Sequence, residues 1–256
     1  MDDINQLDEV PESILAVHQS IKALEEQNNK KDFPKYPIVT FLGTGSSVPS
    51  KYRCVSSILV ETEPDNFLML DCGEGTLLQL HRQFGRQDAL KVLRNLKAIY
   101  LSHLHADHHM GLINIVLERT KAFSYVNENV NKLFIIAPSK ITSYLSLYHR
   151  KFEPILTDLY QVSNEHLLTF TPPNNKEIKT QILYPAVLKE LVDGTGLESI
   201  KTCRAVHCPS AFSVSLVTKS GFKLVYSGDT RPNNAIVELG TEGNKAPDLL
   251  IHEATM

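Results

Sequence analysis

The chain has 256 residues, of which 42% are hydrophobic, and its formal net charge at pH 7 is −3. This length and this apolar content suit one sizeable globular domain with its own core. The weakly negative charge argues against nucleic-acid binding through overall electrostatics and leaves only a local basic patch, and no apolar run approaches the length of a membrane span.

The first residues indicate a peripheral helix in an intracellular protein. Residues 1–4 are acidic and lack the basic and apolar regions of a signal peptide. Residues 11–27 carry apolar side chains at helical spacing, and a polar stretch that reads as a linker follows. We therefore expect residues 1–36 to form an N-terminal helix and linker, and residues 37–256 to form the main domain.

From residue 38 onward, the pattern of apolar residues alternates between the periods of strands and helices. The predicted strands are 38–42, 57–61, 67–70, 96–101, 133–137, 202–206, 212–218, 222–226 and 248–251. The predicted helices are 76–84, 111–120, 139–150, 186–192 and 233–239, with Ser139 as a plausible cap for the third. This order predicts a layered α/β fold.

Residues 102–109, with the sequence SHLHADHH, are dense in potential metal ligands. They lie where a predicted strand passes into a predicted helix. His103 and His105 are two positions apart, so in an extended chain their side chains leave on the same side. Asp107 and His108 fall where the backbone turns and can reach a second point nearby. This layout predicts two metal ions a few ångströms apart; the alternative is a surface loop that is rich in histidine.

Other predicted strands also end in histidine or aspartate. Sites in layered α/β folds gather at the ends of strands, so residues at separate strand ends point to one shared site. Zinc in catalytic sites takes about three His or carboxylate ligands and leaves a position for water. The strand-end residues are Asp71, His103, His105, His207, Asp229 and His252.

The expected metal centre has two ions. The assignment gives one ion His103, His105 and His207, and the other ion Asp107 and His108. Asp229 is the expected bridge, because the two oxygens of a carboxylate can serve both ions. The ligand set is nitrogen and oxygen without thiolate, which suits zinc and leaves manganese or iron open. Metal binding lowers the pKa of water by many units, so the centre would supply a nucleophile at neutral pH.

Asp71 has two interpretations that the sequence leaves open. A metal-bound imidazole usually donates its other N–H group to a carboxylate or a carbonyl, and Asp71 is a candidate for that carboxylate. Alternatively, Asp71 caps the predicted helix 76–84.

The four cysteines form no C-x-x-C pair. We interpret them as reduced thiols in an intracellular protein. Each is expected to behave as a small buried hydrophobic residue. They are Cys54, Cys72, Cys203 and Cys208.

Six motifs between residues 37 and 256 together resemble the tRNase Z family of the metallo-β-lactamase superfamily. They are 41–46 (FLGTGS), 49–53 (PSKYR), 70–75 (LDCGEG), 102–109 (SHLHADHH), 226–232 (YSGDTRP) and 252–255 (HEAT). The PSKYR loop and the HEAT segment are specific to this branch. The resemblance is closest to the C-terminal catalytic half of the long, eukaryotic form, and it implies an αββα sandwich with two zinc ions.

The resemblance also implies an activity, namely hydrolysis of a phosphodiester on the 3′ side of the tRNA acceptor stem. It implies that Asp107 acts as base on the attacking water, and that His252, with Glu253 near it, gives a proton to the leaving 3′ oxygen. A structural hydrogen-bond donor is the alternative for His252. Lys51 and Arg53 would contact phosphates at the acceptor end, unless they form an ordinary solvated turn.

The implied partner is precursor tRNA, and no association with a membrane is expected. The implied assembly is a homodimer or a pseudo-dimer between two such domains. The implied compartment is the nucleus, the mitochondrion or both. Two other functions stay open. One is hydrolysis of a small ester, thioester or lactam by another member of the superfamily, and the other is a catalytically impaired chain that acts as a partner.

The sequence departs from the family pattern in two places. Cys54 stands where the family usually has Asn, which bears on the choice of cleavage position. The family also carries a His-Ser-Thr loop and a final metal-binding His beyond the HEAT segment, and the 256 residues contain neither. We therefore expect a C-terminally truncated sandwich whose second half is incomplete and whose second ion is weakly held.

Overall fold

A computed structural model describes residues 19, 35–169 and 185–254. The chain divides into the units Met1–Lys35 and Tyr36–Met256, and the second unit is described here by itself. The helix and linker predicted for residues 1–36 fall outside the described residues except at positions 19, 35 and 36, and Thr255 of the HEAT segment also falls outside them.

The described part of Tyr36–Met256 alternates strands and helices. The strands are β1 (Ile38–Gly43), β2 (Ser57–Glu63), β3 (Asn66–Cys72), β4 (Leu96–Tyr100), β5 (Leu133–Ala137), β6 (Leu159–Ser163), β7 (Leu197–Arg204), β8 (Phe212–Thr218), β9 (Lys223–Tyr226) and β10 (Leu249–Ile251). The α-helices are α1 (Thr76–Asn95), α2 (Ala106–His109), α3 (Leu112–Ser124), α4 (Ile141–Lys151), α5 (Pro185–Gly194) and α6 (Asn234–Thr241). None of the described helices is long and apolar enough to cross a membrane.

The strands form two sheets. The larger sheet has six strands in the order β1-β2-β3-β4-β5-β6. Its first three strands pair antiparallel, and β3 to β6 pair in parallel. The smaller sheet has the order β10-β9-β8-β7, in which β7, β8 and β9 pair antiparallel and β10 joins β9 in parallel.

Both faces of the larger sheet are buried. Successive side chains of a strand point to opposite faces, and each face packs into a separate core. Leu59, Met69 and Ile99 pack in one core with α1 and α3. Leu68 and Tyr100 face the other way and pack against the smaller sheet. A third cluster joins β7 and β9 to α6 on the outer side of the smaller sheet. The layers therefore run helix, sheet, sheet, helix, which confirms the expected αββα sandwich.

Most of the predicted strands and helices of the described region are confirmed, but β7 begins at Leu197 and ends at Arg204 rather than covering residues 202–206, and the sequence set no bounds for β6. Two further differences concern the helices. The helix predicted over residues 76–84 ends at a kink, because Gly85 is not helical (φ 74°, ψ 166°), and a second helical segment that the sequence did not predict continues α1 to Asn95. Ser139 does not cap α4: the N-cap residue is Lys140, which makes no capping side-chain bond.

Candidate metal centre

The SHLHADHH segment crosses from the end of β4 to the short helix α2. His105 is extended, with φ of −74° and ψ of 149°, and Ala106 begins the helix. The turn lies against the end of β3, where Gly73 leaves room for it: a Cβ atom on Gly73 would lie 2.2 Å from the carbonyl oxygen of Asp107. Gly111, just after α2, donates its N–H to the carbonyl oxygen of Cys72 at 2.9 Å. Backbone contacts thus fix the segment that carries the histidines.

Three imidazoles surround one point. The ring centroid of His103 lies 4.6 Å from that of His105 and 4.8 Å from that of His207, and the centroids of His105 and His207 are also 4.8 Å apart. The three ring planes meet at 80°, 85° and 81°. One nitrogen atom of each ring also lies within 4.8 Å of a nitrogen atom of each of the other two, so the three rings can bind one ion.

The loop that carries His207 comes from the smaller sheet and is bound to the loop that carries Asp229. Val206 donates its N–H to the Thr230 hydroxyl at 3.0 Å, and Arg231 donates its N–H to the carbonyl oxygen of Val206 at 3.0 Å. The two sheets therefore both contribute to the cluster, with His103 and His105 from one, and His207 and Asp229 from the other.

The donor atoms have the spacing of a coordination shell. Ligands that lie about 2.0–2.1 Å from a tetrahedral zinc are roughly 3.3 Å from each other. Nε2 of His207 lies 3.0 Å from Nδ1 of His105 and 3.6 Å from Oδ2 of Asp229. Nε2 of His103 lies 3.9 Å from the same carboxylate oxygen, and it is buried without a hydrogen-bond partner. A buried ring nitrogen that faces other ligand atoms fits a metal ion.

A second group of potential ligands adjoins the first. Nε2 of His108 lies 3.3 Å from Oδ1 of Asp229 and 3.5 Å from Oδ2 of Asp107. Asp229 thus presents one oxygen to each group. The Asp107 carboxylate also accepts a hydrogen bond from the backbone N–H of Ser47 at 2.7 Å, so the glycine-bearing loop after β1 fixes its orientation.

The Asp71 carboxylate is fully buried beside this second group. It accepts hydrogen bonds from Nδ1 of His108 at 2.7 Å, from the Tyr226 hydroxyl at 2.7 Å, and from the backbone N–H and hydroxyl of Ser102 at 2.7 and 2.8 Å. Helix α1 begins after Gly75 without a side-chain cap, so Asp71 does not cap it.

The environment shifts the pKa values of these groups in opposite directions. Burial alone would raise the pKa of Asp71, but the His108 charge and the hydrogen bonds outweigh it and lower that pKa. Burial opposes the charged form of His108, yet Asp71 and Asp229 raise its pKa to about 10. Burial and the neighbouring His108 lower the pKa of His103 to about 4, which keeps that imidazole neutral and free to bind a metal.

A cleft of about 580 Å³ opens onto His108 and Asp229. Arg53, His252 and Glu253 line it, together with residues of the loop after β1. Lys51 lies on the same loop as Arg53, and its ammonium extends over the Tyr52 ring, 5.6 Å from the centroid. The structure thus brings Arg53 to the cleft.

The HEAT segment has a geometry that the sequence did not predict. Nδ1 of His252 lies 2.8 Å from the backbone carbonyl oxygen of Glu253. The Glu253 carboxylate turns away from that imidazole and accepts a short hydrogen bond from the backbone N–H of Thr230. Since Thr230 follows Asp229, Glu253 holds the turn that presents Asp229.

Sequence reasoning gave Cys208 no role, although it directly follows His207. All four cysteines are free, and Cys54 and Cys208 are partly exposed rather than buried. Burial raises the pKa of the Cys208 thiol, and the charge of Asp229 raises it further. The adjacency of Cys208 to a predicted ligand was the signal in the sequence that could have identified it.

Comparisons with known proteins bear on this site. The family model described as Anti-Pycsar protein Apyc1 matches residues 38–256. The chain is 42% identical over 225 residues to the zinc phosphodiesterase ELAC protein 2 of Macaca fascicularis, and the matched region covers 87% of this chain and 26% of that protein. It is 37% identical over 251 residues to the mitochondrial ribonuclease Z of Drosophila melanogaster, and this match covers 94% of this chain and 30% of that protein.

A solved structure shares the fold. A long-form RNase Z from yeast matches with a TM-score of 0.73 and 31% identity, over 85% of this chain and 32% of that one. The chain thus spans 26–30% of the length of the two curated relatives named above.

Proposed function

This chain belongs to the family that the Apyc1 model describes and is homologous to ribonuclease Z, and we propose that it carries the catalytic site of a zinc-dependent endoribonuclease. The substrate would be precursor tRNA, cut so that the tRNA keeps a 3′-hydroxyl and the trailer a 5′-phosphate. In this proposal residues 37–256 are the metallo-β-lactamase-like domain, and residues 1–36 are a helix and linker that precede it.

One observation carries the proposal: ligand atoms from both sheets converge at a cleft that also holds a cation and a histidine. The residues of the first proposed zinc site are His103, His105, His207 and Asp229, and those of the second are Asp107, His108 and Asp229. The ligand-atom separations of 3.0–3.9 Å support these assignments. When bound, zinc supplies a polarised water and neutralises charge on the phosphate.

The side chains of this chain perform the remaining steps. The Asp107 carboxylate takes a proton from the attacking water. The backbone N–H of Ser47 donates a hydrogen bond to this carboxylate and so holds it in place. His252 gives a proton to the leaving 3′ oxygen, a role that suits an imidazole that lines the cleft. The Glu253 carboxylate accepts a hydrogen bond from the backbone N–H of Thr230 and so fixes the turn that carries Asp229.

Recognition of RNA would use the PSKYR loop. The Arg53 guanidinium lines the cleft and can bind a phosphate beside the reacting one. Lys51 on the same loop would contact a phosphate farther along the acceptor end. We further propose that two such domains associate as a homodimer or pseudo-dimer, and that the protein works in the nucleus, the mitochondrion or both.

A cleavage assay tests the proposal. The full chain with zinc is incubated with a precursor tRNA that has a 3′ trailer, and in parallel with bis-p-nitrophenyl phosphate. We expect cleavage at the trailer, and a loss of about 100-fold or more in Asp107→Ala and in His252→Ala because each removes a proton-transfer group. Hydrolysis of the small ester with intact tRNA would favour another hydrolase of the superfamily.

Two further results would contradict parts of the proposal. Cleavage at a normal rate in Asp107→Ala would show that Asp107 is not the general base. Binding of precursor tRNA without hydrolysis of either substrate, in a chain that holds zinc, would favour a catalytically impaired partner over an enzyme.

A further inference from the structure

Cys208 lies among the three imidazoles of the metal centre. Its Sγ atom and one ring nitrogen from each of His103, His105 and His207 all lie within 4.8 Å of one another. The thiol is partly exposed, and its surroundings include the charges of Asp229 and His108. Among the described residues, this is the group of potential ligands with a sulfur atom.

A second observation indicates that this group of atoms can hold an ion. Nε2 of His103 is fully buried and has no hydrogen-bond partner, and it belongs to the same group as the sulfur. Burying a ring nitrogen without a hydrogen-bond partner costs free energy. A bound cation would offset that cost by accepting the lone pair of this nitrogen. Three histidines and one cysteine also form a complete tetrahedral zinc shell.

We propose that Cys208 is a metal ligand that takes the place of Asp229 as the fourth ligand of the His103, His105 and His207 site in its resting form, so that Asp229 then serves only the second ion. The inference rests on the proposed function, since it needs an ion at this site. The sulfur–metal bond forms as the thiol proton leaves to solvent, so the charge of the bound ion is partly neutralised by the thiolate. In this form the fourth position is filled, and substrate must displace the sulfur to reach the ion.

The consequence for the site is a preference for ions that bind sulfur well. Zinc and cadmium accept mixed nitrogen and sulfur ligands, whereas manganese prefers oxygen. A chain that holds its ion with Cys208 should therefore retain zinc in competition with manganese better than a chain that lacks the sulfur.

Cobalt substitution tests the inference on the full chain. Co²⁺ bound to thiolate gives an intense near-ultraviolet charge-transfer band, and Co²⁺ bound to imidazole alone gives only weaker visible bands. We expect the near-ultraviolet band in the natural chain, its loss in Cys208→Ser, and retention of the visible bands in that variant. Cys54→Ser is the matched control, because Cys54 is the other partly exposed cysteine and its sulfur accepts a hydrogen bond from Gln79 at 2.8 Å.

The outcomes separate this inference from the proposed function. Visible cobalt bands without the near-ultraviolet band would overturn the role of Cys208 and leave the histidine site intact. A chain that binds no cobalt at all would overturn both. Alkylation of the natural chain, mapped by mass spectrometry, covers the case in which Cys208→Ser does not fold: we expect zinc to slow labelling at Cys208 but not at Cys54, and equal labelling would overturn the inference.

Discussion

At the scale of single residues, the buried Asp71 carboxylate decides how His108 is oriented. Four hydrogen bonds converge on it, and one of them comes from the ring nitrogen of His108 that faces away from the cluster. Asp71→Asn keeps the size of the side chain but loses the charge and an acceptor. We expect zinc affinity and cleavage to fall about 10–100-fold, as measured by competition with a chromophoric chelator and by the trailer assay.

Asp65→Asn is the control for this variant. Asp65 is exposed, and its described contacts are with Lys91 at 2.7 Å and Glu61 at 3.1 Å, neither of which is a proposed ligand, so zinc affinity should not change. Unchanged zinc affinity in Asp71→Asn would show that the orientation of His108 does not depend on the carboxylate.

A second residue-scale prediction concerns Arg119, which is 2% exposed. Its guanidinium donates to the carbonyl oxygen of Asn131 at 3.0 Å and lies over the Phe123 ring, 5.0 Å from the centroid. Arg119→Met removes the donors that bind Asn131 and the contact of the guanidinium with the Phe123 ring, so we expect the free energy of unfolding in urea to fall by about 1–2 kcal/mol. Lys121→Met, on an exposed position of the same helix, should change it by less than about 0.5 kcal/mol.

At the scale of elements, the turn after β9 has to pass close to the end of β4. Gly228 has φ of 56°, and a Cβ atom there would lie 2.7 Å from Cβ of Ser102. Gly228→Ala therefore adds a steric clash to the strain of a left-handed backbone. We expect it to lower the free energy of unfolding by more than about 2 kcal/mol and to weaken zinc binding, since Asp229 is the next residue.

Gly221→Ala separates strain from clash. Gly221 also has a positive φ, of 82°, but a Cβ atom there would meet nothing within 4 Å. Strain alone predicts a loss of about 1 kcal/mol with normal zinc binding. Equal losses in the two variants, measured by urea unfolding in the presence of a chelator, would contradict the close approach of the two turns.

At the scale of the whole molecule, the proposed metal centre draws its ligands from both sheets. His103 follows β4 in the larger sheet and His207 follows β7 in the smaller one, so an ion bound by both stabilises the packed form over the unfolded chain. At a zinc concentration of about 100 times Kd, we expect the free energy of unfolding to rise by about 2.7 kcal/mol. His207→Ala should abolish most of this gain, whereas His252→Ala should keep it and lose only cleavage.

A chelator titration during thermal unfolding provides the measurement. The Tm should fall when zinc is removed from the natural chain and from His252→Ala, and should change little in His207→Ala. A fall of the same size in His207→Ala would place the ion elsewhere.

The sequence alone determined much of the fold and most of the site. Strands were predictable because side-chain alternation and the turn residues at strand ends are local properties. The proposed ligands could be named from the sequence because histidines and aspartates stand at separate predicted strand ends, and the structure brings these side chains together. Local patterns missed the helical segment that follows the kink at Gly85, and they failed at Ser139, where the predicted cap makes no such bond.

Only the tertiary structure decided which atoms meet. Asp71 contacts His108 because β3 and β4 are neighbours in the larger sheet, and it contacts Tyr226 because the two sheets pack face to face; the sequence left its role open. Glu253 reaches Thr230 rather than His252, and Cys208 joins three imidazoles, because loops from different sheets meet at one edge. Such contacts depend on distances between segments far apart in the chain, and residue spacing along the chain carries no information about those distances.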